Sequence, residues 1–275
     1  MPLFCFRRAL ASLAAVLAVA GCGSRPSAAV GGGEAPKPPI RLSIAVASDL
    51  QSVLPVLIRD YRKEAPAIEI EASYGASRQL ANQIEQGAPF DLFLSADLKL
   101  VDRLGASKAV DVGSIRPYAI GSLVLAAHRQ TGSMIAGLDD LKRPEVKKIA
   151  IANPETAPYG SAARAALKRA GLWDVLQPKI VIAASVRQAL QFVQTGNAEA
   201  GLVGRATADV PEVVVSVIDP SLYPSIVQGL GIVSRSTRKG AAGRFVQYLL
   251  SPKGQSTFQS FGFRPPDPST LDNPQ

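Results

Sequence analysis

The strongest constraint on the fold is a regular alternation of short apolar segments and amphipathic segments between about residues 40 and 265. Apolar runs of about four to eight residues predict buried strands, and apolar residues three or four positions apart predict helices. Strands that alternate with helices form mostly parallel sheets, which helices cover on both faces. The sequence therefore predicts an α/β fold.

The expected strands are short and mostly apolar. They lie at residues 41–47, 67–73, 91–95, 121–127, 148–152, 179–183, 200–204, 213–218 and 229–234. Ser48 is a favourable N-cap for the first helix, in which Pro55 either introduces a kink or starts the main stretch. Ser77 is expected to begin the second helix, and a later helix is expected to follow Gly160.

Composition narrows the possible functions. The chain has 275 residues, 47% of them hydrophobic and 19% charged, so it can bury a full core without metals or disulfides. One histidine and two cysteines exclude a zinc cluster, an iron–sulfur site and a disulfide framework. The net charge is +8, but basic residues are mixed with acidic ones and aromatic residues make up only 6%. A nucleic-acid partner is therefore not expected.

The N-terminus has the pattern of an export signal. Arg7 and Arg8 precede an apolar run from Ala9 to Ala20, which is shorter than the roughly 20 residues of a membrane span. The run ends in Val19-Ala20-Gly21-Cys22, which resembles a bacterial lipobox. We expect residues 1–21 to be a lipoprotein signal peptide and Cys22 to be lipidated. The alternative is an ordinary secretory signal with an incidental cysteine.

Residues 22–39 are expected to form a flexible tether. Ten of the 17 residues from Gly23 to Pro39 are Gly, Pro or Ser, a composition that does not build a core. The folded part is therefore expected to begin near Ile40.

Four turns between a strand and a helix are rich in small residues and hydroxyl groups. They are Ala47-Ser48-Asp49, Tyr74-Gly75-Ala76-Ser77, Pro158-Tyr159-Gly160-Ser161 and Ser185-Val186-Arg187. The N–H groups of a first helical turn have no partner within the helix, and the helix dipole favours negative charge there. Each turn alone is explained by ordinary N-capping. Together, at the ends of parallel strands, they predict an anion-binding crevice.

Catalytic interpretations are weaker. Gly75-Ala76-Ser77-Arg78-Gln79 begins like a nucleophile elbow, but Gln79 stands where the second glycine should be. His128, the single histidine, ends an apolar strand and is expected to be structural or exposed. Ser236 and Lys239 fit the Ser-x-x-Lys spacing, but they lie in a polar turn without the companion motifs. We expect that the protein is not an enzyme. The alternative is a lipoprotein hydrolase that uses Ser77.

Several motifs resemble one known family. The block Gln83–Asp97, QIEQGAPFDLFLSAD, is similar to the signature of bacterial molybdate-binding proteins, the solute-binding components of molybdate ABC transporters. Ala45–Leu50, Asn153–Glu155, Ser185–Leu190 and Phe261–Phe263 fit that family in the right order. The resemblance spans about residues 40–265.

The resemblance implies a two-lobed periplasmic-binding-protein fold of type II. Each lobe would be a mostly parallel sheet flanked by helices. Lobe 1 would comprise residues 40–118 and 230–275, and lobe 2 residues 119–229. Two crossover strands, near 122–127 and 230–234, would serve as the hinge.

The resemblance also implies a set of ligands for one tetrahedral oxyanion. The family's serine ligands fall on Ser48 and Ser77, and its backbone N–H donors on Tyr159 and Val186. Molybdenum would be bound as its oxyanion, through oxygen atoms, and no cofactor is implied. The family's second-lobe tyrosine falls on Gly204, followed by Arg205.

That departure leaves the fifth ligand open. The candidates are an ordered water in the space beside Gly204, which we rank first, a side chain such as Tyr159, or Arg205 turned inward. An Arg205 that points to solvent is the simplest expectation.

The implied function is capture of molybdate, and also tungstate, by a lipid-anchored protein of the periplasm or cell envelope that delivers the anion to an ABC permease. A monomer is expected. Sulfate, phosphate and organic acids remain alternative ligands on the same fold.

Overall fold

The computed structural model describes residues 38–266. The predicted signal peptide, Cys22 and all but the last two residues of the predicted tether lie outside this range. Within it, no helix is long and apolar enough to cross a membrane.

Ten strands and eight α-helices are formed within residues 38–266. The strands are β1 (Ile40–Ala47), β2 (Ile68–Gly75), β3 (Leu92–Ser95), β4 (Arg116–Gly121), β5 (Leu123–His128), β6 (Ile149–Ala152), β7 (Ile180–Ala183), β8 (Ala200–Gly204), β9 (Val213–Val217) and β10 (Ile226–Ile232). The helices are α1 (Leu54–Glu64), α2 (Ser77–Glu85), α3 (Leu98–Ala106), α4 (Pro158–Arg169), α5 (Trp173–Leu176), α6 (Val186–Gln194), α7 (Lys239–Leu250) and α8 (Pro252–Ser260).

The strands form two five-stranded sheets. The first has the order β2-β1-β3-β10-β4, and the second has the order β7-β6-β8-β5-β9. In the first sheet β1 is parallel to β2 and β3, and in the second β6 is parallel to β7 and β8. The antiparallel pairings all involve β10 or β5, the strands that follow a passage from one sheet to the other. The expected two-lobed α/β architecture is confirmed.

The chain passes between the sheets at two places. β4 lies in the first sheet and β5 in the second, with only Ser122 between them. β10 then returns to the first sheet and pairs antiparallel with β4. The lobe boundaries expected at 118/119 and 229/230 fall inside β4 and β10, which both belong to the first sheet.

β4 was not expected as a separate strand. The sequence predicted one strand over 121–127. Arg116 and Pro117, at the start of β4, break the apolar pattern that marks a strand. Proline is tolerated at that position because β4 is the edge strand of its sheet, where one side of the backbone needs no partner strand.

Two helix starts also differ from the expectation. Ser48 does not cap α1; it opens a separate 3₁₀ turn, Ser48–Leu50. α1 begins at Leu54 with Pro55 in its first turn, so the proline starts the main stretch and does not kink it. α4 begins at Pro158, before Gly160, because proline again suits a first helical turn.

The hydrophobic core follows the two sheets. One buried cluster surrounds the second sheet, and two clusters cover the faces of the first. Ala206 lies in the 3₁₀ turn that follows β8 of the second sheet, yet it packs into the core of the first sheet. The two sheets are therefore in contact through core residues as well as through the strands that cross between them.

Candidate functional site

One small cavity lies where β1, β2 and β3 of the first sheet end and where α4 and α6 of the second begin. Its volume is about 10 Å³, which is the room of roughly one water-sized sphere. The lining residues are Ala47, Ser48, Asp49, Gly75, Ala76, Ser77, Ala96, Ala157, Pro158, Tyr159 and Val186. All four predicted ligands, Ser48, Ser77, Tyr159 and Val186, are thus brought together; that they bind an anion stays a prediction.

Ser77 has the geometry of a hydrogen-bond donor to the cavity. It is the first residue of α2 and is 1% exposed. Its hydroxyl oxygen accepts the backbone N–H of Ala96 at 3.1 Å. A hydroxyl that accepts one bond keeps its own hydrogen to donate elsewhere. Ser48, in the 3₁₀ turn after β1, is also buried and supplies a second hydroxyl.

The second sheet contributes the first turns of two helices. Tyr159 is the second residue of α4, and Val186 is the first residue of α6. N–H groups at such positions have no acceptor within their own helix, so they are available to an anion. Ser185 caps α6 by accepting the Gln188 N–H at 3.2 Å, which fixes the start of that helix.

Gly160 allows α4 to begin this close to the second sheet. A Cβ atom at this position would collide with the backbone carbonyl of Ala152, at the end of β6. The glycine therefore brings the first turn of α4, with the Tyr159 N–H, down onto the strand end.

The two halves of the cavity are held together by a backbone hydrogen bond. The N–H of Arg78, on α2, donates to the carbonyl of Thr156 in the loop before α4, at 3.1 Å. Residues from both sheets surround the cavity, and its lining is buried except for the half-buried Gly75 and Pro158, so an anion inside it would be largely shielded from water.

Asp49 is a charged group at the site to which the sequence analysis gave no role. Its side chain is fully buried, and burial raises its pKa from 3.8 to about 6. Hydrogen bonds from Gln228 and Tyr159 act in the opposite direction but do not cancel the effect of burial. An acidic residue inside Ala45–Leu50, directly after an apolar strand, is the signal that could have revealed it.

Asp49 is connected to a buried polar network. Gln228, on β10, donates from Nε2 to the Asp49 carboxylate and also contacts the Tyr159 hydroxyl oxygen at 3.3 Å. The Oε1 atom of Gln228 accepts the hydroxyl of Tyr118 at 2.5 Å. Burial raises the pKa of both tyrosines well above their usual value, so both hydroxyls keep their hydrogens at neutral pH.

The space expected beside Gly204 is filled. A Cβ atom at Gly204 would lie 3.0 Å from Cε1 and 3.1 Å from Cζ of Tyr159, so the ring of Tyr159 packs directly on the glycine. The expectation that an ordered water would occupy a ring-sized space there is therefore wrong. Arg205 is exposed and does not line the cavity.

The alternative catalytic groups lie elsewhere. His128 ends β5, and its Nδ1 accepts the N–H of Gln130 at 3.3 Å. The Ser236 hydroxyl donates to the buried carboxylate of Asp91 at 2.7 Å. Within residues 38–266, no group of three or more His, Cys, Asp or Glu side chains is placed to hold a metal ion.

Comparison with known proteins identifies the family of the chain. The model of one family, described as bacterial extracellular solute-binding protein, matches residues 42–264. The chain belongs to this family. Among its relatives is YvgL of Bacillus subtilis, named as an ABC transporter substrate-binding lipoprotein, which is 34% identical over 92% of this chain and 96% of its own.

Two further similarities concern molybdate-binding proteins. The molybdate-binding protein ModA of Azotobacter vinelandii is 32% identical over 81% of this chain and 89% of its own. The structure of the periplasmic molybdate-binding protein of Azotobacter vinelandii is 30% identical and has a TM-score of 0.77, covering 82% of this chain and 100% of that one. The resemblance carried by Gln83–Asp97 is confirmed.

Proposed function

We propose that this solute-binding protein captures a tetrahedral oxyanion, molybdate or the similar tungstate, between its two lobes and delivers it to an ABC permease. The observation that carries the proposal is the meeting of Ser48, Ser77, Tyr159 and Val186 in one buried cavity. Two hydroxyls and two helix N-termini in the lining supply neutral donors of the kind that a dianion requires.

Hydrogen bonds alone can supply the free energy of binding, without a metal ion or a lysine. A bond between a neutral donor and an anion contributes about 1.5–3 kcal/mol. The four named donors give roughly 6–12 kcal/mol, and two further N–H groups of the same helix turns would raise this to about 9–18 kcal/mol. Closure of the lobes and ordering of the anion must be subtracted from this sum. A net binding free energy of about −8 to −12 kcal/mol, in the micromolar to nanomolar range, is within reach.

The chemistry of the donors favours an anion that carries no proton at neutral pH. Molybdate, tungstate and sulfate satisfy this condition, whereas phosphate retains a proton that needs an acceptor. Sulfate differs from molybdate mainly in size, so the small closed cavity would have to distinguish them. The Asp49 carboxylate adds a like charge that opposes any dianion when it is ionised.

Titration calorimetry at pH 7.5 with molybdate, tungstate, sulfate and phosphate tests the proposal. We expect molybdate and tungstate to bind at micromolar concentration or below, and sulfate and phosphate at least a hundredfold more weakly. Sulfate binding as tight as that of molybdate would refute the proposed selectivity, and tighter binding would make the protein a sulfate binder. Failure of all four anions would favour an organic acid and refute the proposed ligand.

The protein's setting is part of the same proposal. A lipid at Cys22 would hold the protein at a membrane of the cell envelope, as expected for a relative of a lipoprotein. We propose that it acts there as a monomeric binding protein and not as an enzyme. Two observations at Ser77 favour a role in binding over a role in catalysis. Its hydroxyl oxygen accepts a backbone N–H, and no histidine lines the cavity.

A further inference from the structure

We infer that Tyr159 is a positioning residue for anion binding: its side chain fastens the first turn of α4 to Gln228 and Asp49 in the closed arrangement of the lobes. The inference rests on the proposed function, because it assigns a role to a residue of that site. It concerns the side chain of Tyr159, whereas the expected ligand is its backbone N–H.

The side chain of Tyr159 packs against two glycines. The residue is 1% exposed. Its ring packs on Gly204 at the end of β8, and its hydroxyl lies so close to Gly121, at the end of β4, that a Cβ atom there would collide with it. Gly204 belongs to the second sheet and Gly121 to the first, so the side chain fills the junction between the sheets.

The hydroxyl of Tyr159 links the second sheet to the first. Tyr159 lies on α4, which follows β6 of the second sheet, whereas Gln228 lies on β10 of the first. The Gln228 amide contacts the hydroxyl oxygen at 3.3 Å and donates its other hydrogen to Asp49. Asp49 in turn follows Ser48, one of the expected anion ligands. A single amide thus joins a donor turn of one lobe to a donor turn of the other.

This geometry gives the hydroxyl a role in closure. If the lobes separate, Tyr159 leaves Gln228 and Asp49, and the hydroxyl loses its protein partners. The bond therefore stabilises the closed form, from which the anion can leave only after opening. Loss of the hydroxyl should accelerate dissociation of the anion, whereas association, which begins from the open form, should change little.

The test compares Tyr159→Phe with Tyr248→Phe. Phenylalanine keeps the ring in its seat and removes only the hydroxyl. Tyr248 is the matched control, because its buried hydroxyl has no hydrogen-bond partner within residues 38–266 and lies in the core of the first sheet. Molybdate affinity and dissociation rate are measured by calorimetry and stopped-flow fluorescence, and thermal unfolding verifies the fold of each variant.

We expect Tyr159→Phe to weaken molybdate binding about tenfold, mainly through faster dissociation, and Tyr248→Phe to stay within twofold of the parent. An affinity of Tyr159→Phe within twofold of the parent would overturn the inference, as would a tenfold loss that lies entirely in association. If the parent binds none of the four anions, the proposed function fails instead, so the two failures are distinguishable.

A second pair of variants separates positioning from general packing. Gly121→Ala adds a methyl group that collides with the Tyr159 hydroxyl and displaces the side chain. We expect this variant to weaken molybdate binding more than tenfold. In the double variant Gly121→Ala/Tyr159→Phe the hydroxyl is absent, and binding should be no weaker than in Gly121→Ala alone. Losses that simply multiply would show two independent packing defects and contradict the inference.

Discussion

The hydroxyl oxygen of Ser77 accepts the backbone N–H of Ala96 at 3.1 Å, and this bond limits where the serine can direct its own hydrogen. Both residues line the cavity. Ser77 therefore serves the fold as an acceptor and is free to serve an anion as a donor.

Replacing Ser77 or Ser48 by alanine should weaken molybdate binding by about 1.5–3 kcal/mol, or roughly ten- to 150-fold, because one charge-assisted bond is lost. Ser77→Ala should also lower the free energy of unfolding by about 1–3 kcal/mol, since the Ala96 N–H is left buried without a partner. Calorimetry and urea unfolding measure the two effects. Unchanged affinity in both variants would show that the site has been placed wrongly.

Asp49→Asn should make the protein more stable at neutral pH. Burial raises the pKa of Asp49 from 3.8 to about 6, so the folded protein holds this proton more tightly than the unfolded chain does. The contribution of Asp49 to stability is thus most favourable below about pH 4 and is lost as pH rises through 6. Two pKa units correspond to about 3 kcal/mol.

Urea unfolding at pH 4, 5.5 and 7.5 measures the direction of this pH dependence of stability. The variant should match the parent near pH 4 and exceed it by up to about 3 kcal/mol at pH 7.5. The same substitution removes a negative charge from the cavity lining and should strengthen molybdate binding at pH 7.5. A variant less stable than the parent at every pH would mean that the carboxylate is stabilised by its hydrogen bonds more than it is penalised by burial.

Arg205→Ala should leave molybdate affinity within about threefold of the parent. The side chain is exposed and lies outside the cavity lining, and exposed charges contribute little to binding. The affinity of the parent should likewise depend only weakly on salt. A hundredfold loss in the variant would place the guanidinium in the site.

Gly160→Ala should destabilise the protein by roughly 1–3 kcal/mol and weaken anion binding, because the new methyl group pushes the first turn of α4 away from β6. Gly243→Ala is the control. Gly243 lies within α7, and a Cβ atom there would meet open space, so alanine should raise stability by about 0.5–1 kcal/mol. Equal effects of the two variants on stability would show that α4 and β6 are not closely packed at Gly160.

Cys22→Ser should abolish lipid attachment. The residue lies outside the described part of the chain, so the prediction depends on the sequence Val19-Ala20-Gly21-Cys22 alone. The parent should fractionate with membranes and the variant should be released or left unprocessed, as seen by cell fractionation and mass spectrometry of the N-terminus. A parent that is soluble and without lipid would refute it.

The sequence contained enough to locate the cavity, because small hydroxyl-rich turns follow apolar strands in both sheets, and these turns meet at the cavity. Local pattern could not reveal β4, since Arg116 and Pro117 resemble a loop until the edge position of the strand is known. It also could not place Tyr159 on Gly204. That contact joins positions far apart in the chain. The space for the Tyr159 side chain also depends on Gly121, which in the sequence resembles any other strand residue.

The two passages of the chain between the sheets also affect the order in which the protein can fold. The strands of the second sheet, β5 to β9, occupy one uninterrupted stretch, so that half can assemble before the first sheet is complete. The first sheet has to wait for β10, and its core has to wait for Phe245 and Phe258. The half that carries Ser48 and Ser77 is therefore the last to be completed, and a chain stopped before residue 226 would have no finished place for an anion.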